Sequence, residues 1–171
     1  MDLITRLIAH WRSQGIICPG GASLDEMDAF QVQHNIIFPS DMREYLLAVN
    51  GMGGHEWDDD FFSFWSLADI RSISADLPDR SARFAESSKY FLFADHSIFL
   101  PAFAIRLTAD AKETNPVVCV VADSGLLEVS PAFDSFTDFI SAYLNDPVSA
   151  SLGMRAQTGQ KWKSDEMKGT P

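Results

Sequence analysis

The stretch from Phe38 to Gly51, FPSDMREYLLAVNG, constrains this chain more than any other. It reads as one amphipathic helix with both ends marked. Pro39 suits the turn that leads into a helix and not its interior. Ser40 is placed to cap the first free N–H groups, and Asp41 adds negative charge where the helix dipole favours it. Met42, Tyr45, Leu46 and Val49 recur at helical spacing as one apolar stripe. Asn50-Gly51 supplies a left-handed exit. No residue here is an evident nucleophile, base or metal ligand, so the segment specifies a fold more than a reaction.

Other elements follow from the same kind of signal. Asp2 to Ser13 has Leu3, Ile4, Leu7, Ile8 and Trp11 on one helical face. Gly15 and Pro19-Gly20-Gly21 break that helix. Ser23 with Glu26 forms a capping box, which predicts a helix to about His34 with Leu24, Met27, Phe30 and Ile36 facing inward. Gly51-Met52-Gly53-Gly54 opens a flexible loop running through Asp60. Phe61 to Trp65 predicts a short aromatic strand, and Leu67 to Ile73 a short helix. Residues 74–88 predict an irregular connection. Tyr90 to Ala94 and Ile98 to Leu107 predict strands joined by a turn at Asp95-His96-Ser97. Pro101 marks the second as an edge strand or a bulged one. Val117 to Ala122 is a β-branched run suited to a central strand, with Asp123-Ser124-Gly125 as the hairpin turn and Leu126 to Val129 as the return. Ser135 to Leu144 predicts a last helix, which Pro147 ends. The expected architecture is α+β: a mainly antiparallel sheet of about five strands, with N-terminal helices and a C-terminal helix packed on it.

Four of these segments, in this order, resemble the SMI1/KNR4 superfamily, also called SUKH. The Pro39 helix ending in Asn50-Gly51 is similar to the family's signature. Phe64-Trp65-Ser66-Leu67-Ala68-Asp69-Ile70 is similar to its aromatic strand and following short helix. Phe91 to Asp95 resembles its next strand, and Asp134 to Ile140 its closing helix. The resemblance spans roughly residues 23 to 145. It implies an α+β fold and protein binding. Many bacterial members are immunity proteins that block a toxin, often a nuclease, and others are interaction modules.

Size and composition bound the rest. A chain of 171 residues with 46% hydrophobic residues, 13 Phe and 4 Trp can bury an aromatic core as one domain. Residues 1–150 are expected to form that domain, with 1–22 as its N-terminal helix and linker. Residues 151–171 lack apolar periodicity after Gly153 and are expected to be a disordered tail. No segment reaches the roughly 20 apolar residues of a membrane span. The N-terminus lacks the basic region of a signal peptide, so a cytoplasmic location is the default. The net charge is −11, and the tail carries +2, from Arg155, Lys161, Lys163 and Lys168 against Asp165 and Glu166. The acidic body should repel nucleic acid and anionic membrane, and it suits a basic protein partner.

Candidate chemistry is sparse. His55-Glu56-Trp57-Asp58-Asp59-Asp60 concentrates four carboxylates. The alternate ligand spacing and central glycine of a calcium loop are absent, so no metal site or cofactor is assigned. Mutual repulsion should keep these acids exposed and flexible. Glu56, Trp57, Asp58, Asp59 and Asp60 are therefore candidate partner-binding residues, with Trp57 either an exposed anchor or folded into the core. Asp95-His96-Ser97 holds triad residue types, but sequence neighbours cannot reach triad geometry. Gly51 to Gly54 lacks the Lys-Ser/Thr of a phosphate loop. The four histidines show no ligand spacing. Cys18 and Cys119 are isolated, and Cys119 sits in a valine run where an inert buried thiol is expected, although a Cys119/His nucleophile pair stays open on residue types alone. No catalytic residue is assigned. The reading is a non-enzymatic immunity protein that occludes the cleft of a basic toxin domain. The alternatives are an enzyme or a metal- or small-ligand binder using the acidic loop 55–60, or a regulatory module without a toxin.

Overall fold

The computed structural model describes residues 2–53, 57–82, 84–123 and 125–153. Of the expected tail 151–171, residues 154–171 lie outside them, as do His55 and Glu56.

Helix α1 (Leu3–Ser13) is capped by the Asp2 carboxylate, which accepts the Thr5 N–H, and it buries Leu7 and Trp11 fully. Helix α2 (Leu24–His34) has the expected capping box. The Ser23 hydroxyl accepts the Glu26 N–H at 3.2 Å, and Glu26 Oε2 accepts the Ser23 N–H at 2.8 Å. Its inward face is narrower than expected. Met27 and Ile36 are buried and Phe30 stacks on Phe38, but the whole first turn including Leu24 is exposed.

Helix α3 (Ser40–Ala48) buries Met42, Tyr45 and Leu46, with Val49 completing the stripe. Its N-terminus departs from expectation. Pro39 occupies the cap position and Ser40 makes no capping bond. Asp41 Oδ1 instead accepts the Met42 N–H at 2.8 Å. Its Oδ2 accepts the N–H and hydroxyl of Thr137 at 2.9 and 3.0 Å, in the first turn of a later helix, α6 (Phe136–Asn145). One carboxylate thus serves two helix N-termini. At the other end, extended Val49 stops the helix. Asn50 Oδ1 accepts the Leu67 N–H at 2.6 Å, and Gly51 takes φ 74°. Gly51 fits because a Cβ there would stand 2.7 Å from Phe64 O and Ser66 N.

The strands are β1 (Phe62–Phe64), β2 (Arg71–Ser72), β3 (Tyr90–His96), β4 (Ala102–Arg106), β5 (Val117–Asp123) and β6 (Leu126–Phe133). All pairings are antiparallel, in the order β1-β3-β4-β5-β6, with β2 beside β1 on the same edge of β3. β2 falls where a helix was expected. Leu67 and Ile70 have helical spacing, but the chain makes one turn there, closed by Ile70 N–H to Ser66 O, and then pairs Arg71 and Ser72 with Leu92 and Phe91. Residues 74–88 are more ordered than expected. Helices α4 (Ile73–Asp76) and α5 (Pro78–Ser81) and a 3-10 turn at Ser87–Lys89 lie in this stretch, each too short for periodicity to reveal.

Pro101 does not mark an edge. β4 lies between β3 and β5, Pro101 precedes it through a cis bond, and the bulge lies across in β3 between Leu92 and Ala94. β3 runs on through His96, so the turn shifts to Ser97, Ile98 and Phe99, all with positive φ.

Alternation along β3, β4 and β5 buries both faces of the sheet. One face carries Phe91, Phe93, Phe103, Ile105 and Val117 toward Trp11, Tyr45, Phe136, Phe139 and Tyr143 of α1, α3 and α6. The other carries Leu92, Ala102, Ala104, Val118 and Val120 toward Ile73 of α4, with Phe84 against it. Burying an aromatic or aliphatic side chain is worth about 1.5–3 kcal/mol, so the helix-facing layer dominates stability. Pro147 does more than end α6: it opens α7 (Pro147–Ser151), which buries Ala150 and Ser151. Among the described residues, no helix is long and apolar enough to cross a membrane.

Candidate partner-binding face

The acidic loop is not uniformly exposed. Asp59 is exposed, Asp60 half-buried and Trp57 43% exposed, but Asp58 is only 5% exposed. The expectation that repulsion would hold all the acids in solvent fails at Asp58, because donors converge on it. Asp58 Oδ1 accepts the N–H groups of Phe62 at 2.7 Å and Asp60 at 3.0 Å. Its Oδ2 accepts the hydroxyl of Tyr143, whose oxygen in turn accepts the Trp11 Nε1–H at 3.0 Å. Gln14 Oε1 accepts the Asp59 N–H at 3.0 Å. Helices α1 and α6 therefore hold the loop, and Asp58 is a structural group. Trp57 takes the exposed option of its two expected placements.

Burial pushes the Asp58 carboxyl above its usual 3.8, against the hydrogen bonds from Tyr143 and Phe62, which pull the other way, and with the Asp60 charge adding to the rise. The folded state then binds this proton more tightly than the unfolded chain does. Its contribution to stability is complete below pH 3.8 and is lost as pH rises through the raised folded value. Asp58→Asn removes this titration. The stability difference between parent and variant should therefore shrink as pH increases above 3.8, read by urea denaturation across a pH series. A difference that grows with pH would mean the hydrogen bonds outweigh burial.

The fold also brings His10 of α1 to this loop, a neighbour that sequence spacing did not reveal. Ligand atoms of His10, Asp58 and Asp60 lie within 4.8 Å of one another, and the His10 ring meets Tyr143 edge-on at 5.4 Å. Both Asp58 oxygens already accept hydrogen bonds, so a cation here would have to compete with Phe62, Asp60 and Tyr143. The arrangement serves the loop's anchorage first.

Beside Trp57 is a recess of about 220 Å³ that also meets Trp65, Asp69, Arg71 and Asp95. Asp95, expected in a turn, is a buried β3 residue. Its Oδ2 accepts the Trp65 Nε1–H at 2.7 Å and its Oδ1 the Phe99 N–H at 3.1 Å. The neighbouring His96 packs on Phe62 at 5.0 Å, so these residues serve separate contacts. The Arg71 guanidinium lies 5.2 Å from the Trp65 ring centroid and pairs with Asp76 at 2.5 Å. Cys119 is buried, which pushes its thiol up to about 11, as expected of an inert thiol.

The fold is thus a two-faced α+β sheet with an aromatic and charged recess at one edge. Residues 21–142 match the SMI1 / KNR4 family (SUKH-1), and the chain belongs to that family of immunity-protein-like domains. The comparison with curated proteins finds no match.

Proposed function

We propose that this protein is a non-enzymatic immunity protein that binds a cognate toxin domain in the cytoplasm and occludes its active cleft. Family membership supports protein binding as the activity. The net charge of −11 supports a basic partner, such as a nuclease whose cleft is built for nucleic acid. The observation that carries the choice of face is Trp57, exposed beside Asp59 on a loop held in place by buried Asp58. Glu56, Trp57, Asp59 and Asp60 would make the contact, and Asp58 would fix the loop where it turns into β1.

The test is surface plasmon resonance over a salt series with the partner recovered by pull-down. Long-range attraction acts mainly on association and is screened within about 8 Å at physiological salt. Changing Glu56, Asp59 and Asp60 to their amides should slow association about tenfold at low salt and flatten its salt dependence. Trp57→Ala should instead speed dissociation, by about tenfold or more if the ring is a buried anchor. Unchanged rates in both variants would move the binding face elsewhere.

A further inference from the structure

The recess between Trp57 and Trp65 is too small for most free ligands, whose sites run to about 300–1,000 Å³. At about 220 Å³ it suits one long side chain. Its walls favour a cation. Trp57 and Trp65 both line it, and indole is the strongest aromatic partner for a positive charge. Asp69 and Asp95 line it against the single charge of Arg71, and Arg71 is itself paired with Asp76. The Arg71 guanidinium lying over Trp65 shows that this ring accepts that planar group from within the chain. The recess is also held in shape. Buried Asp95 fixes Trp65 through Nε1–H and the following loop through the Phe99 N–H, and Phe99 packs on Trp65 at 6.2 Å. A carboxylate has about four acceptor positions, so Asp95 keeps capacity beyond these two bonds.

We infer that this recess is a receptor for a single arginine side chain presented by the basic protein partner. The inference rests on the protein-binding reading and deepens it. The partner's guanidinium enters between Trp57 and Trp65, its charge set against Asp69 and Asp95. Trp57 is then a wall that receives a residue as well as a surface that contacts one. Asp95 acts as a positioning residue through Trp65.

The experiment needs no toxin. N-acetyl-arginine amide is titrated into the full chain labelled with nitrogen-15, and the indole N–H signals of Trp57 and Trp65 are followed. The neutral isostere N-acetyl-citrulline amide is the control. The arginine probe should shift both indole signals saturably, with a dissociation constant of about 1–10 mM, as expected for a small fragment. The citrulline probe should bind about tenfold more weakly. Trp57→Ala and Asp69→Asn, both at accessible positions, should each weaken the arginine probe about threefold or more with unchanged melting curves. Equal response to arginine and citrulline, no saturable shift, or shifts centred on other residues would overturn the assignment. Failure of the toxin reading is distinguishable, because it would appear as no captured partner while arginine still bound over citrulline.

Discussion

Replacing Gly51 with valine should unfold the domain or cost about 4 kcal/mol or more, measured by urea denaturation. Two penalties combine at this position. The backbone sits at φ 74°, where a β-branched residue is strongly disfavoured. A Cβ would also stand 2.7 Å from Phe64 O, Ser66 N and the Trp65 carbonyl carbon, all main-chain atoms that cannot swing aside. Gly125 provides the control. Its φ is 84° but nothing lies within 4 Å of a Cβ, so Gly125→Ala should cost only about 1–2 kcal/mol, the left-handed penalty alone. Similar losses at both positions would mean that the close approach of residue 51 to β1 is not maintained in solution.

Asp58→Ala should cost about 3–5 kcal/mol, because it strands the Phe62 N–H, the Asp60 N–H and the Tyr143 hydroxyl together. Tyr143→Phe should cost about 1–3 kcal/mol, leaving Trp11 Nε1–H without its acceptor and Asp58 with one donor fewer. The two changes share one network, so the double variant should lose less than the sum of the singles. Thermal and urea unfolding of the three variants would decide the matter. A near-parental Asp58→Ala would return the residue to the exposed acidic surface that its sequence neighbourhood suggests.

The four longer helices and most strands were legible because their signals are local. A cap and an apolar stripe lie within one short segment in α1 and α6, a stripe and a stop do so in α3, and β5 announces itself as a valine run. Errors arose where a local signal had a distant partner. Asp41 looked like helping charge for its own helix, yet its second oxygen serves Thr137, almost a hundred residues on. Leu67 and Ile70 looked helical because a single turn and a helix share the same first spacing. The candidate face was half legible. Counting charge located the loop but could not tell that the Asp58 carboxylate points inward. The usable hint was an aspartate followed by a turn into an aromatic strand, the setting in which a short acid bonds to nearby backbone. The recess was invisible, since Trp65 and Asp95 meet only through the pairing of β1 with β3.

The anchorage of the acidic loop has a bearing on where this domain begins and ends. The family match runs from residue 21 to residue 142. The groups that grip the loop stand outside it: Trp11 and Gln14 come before its start, and Tyr143 follows its last residue. A fragment trimmed to the shared span would lose the clasp on both sides of the loop and, with α1, the core side chains Leu7 and Trp11. The flanks outside the matched span thus set how the loop's surface is presented.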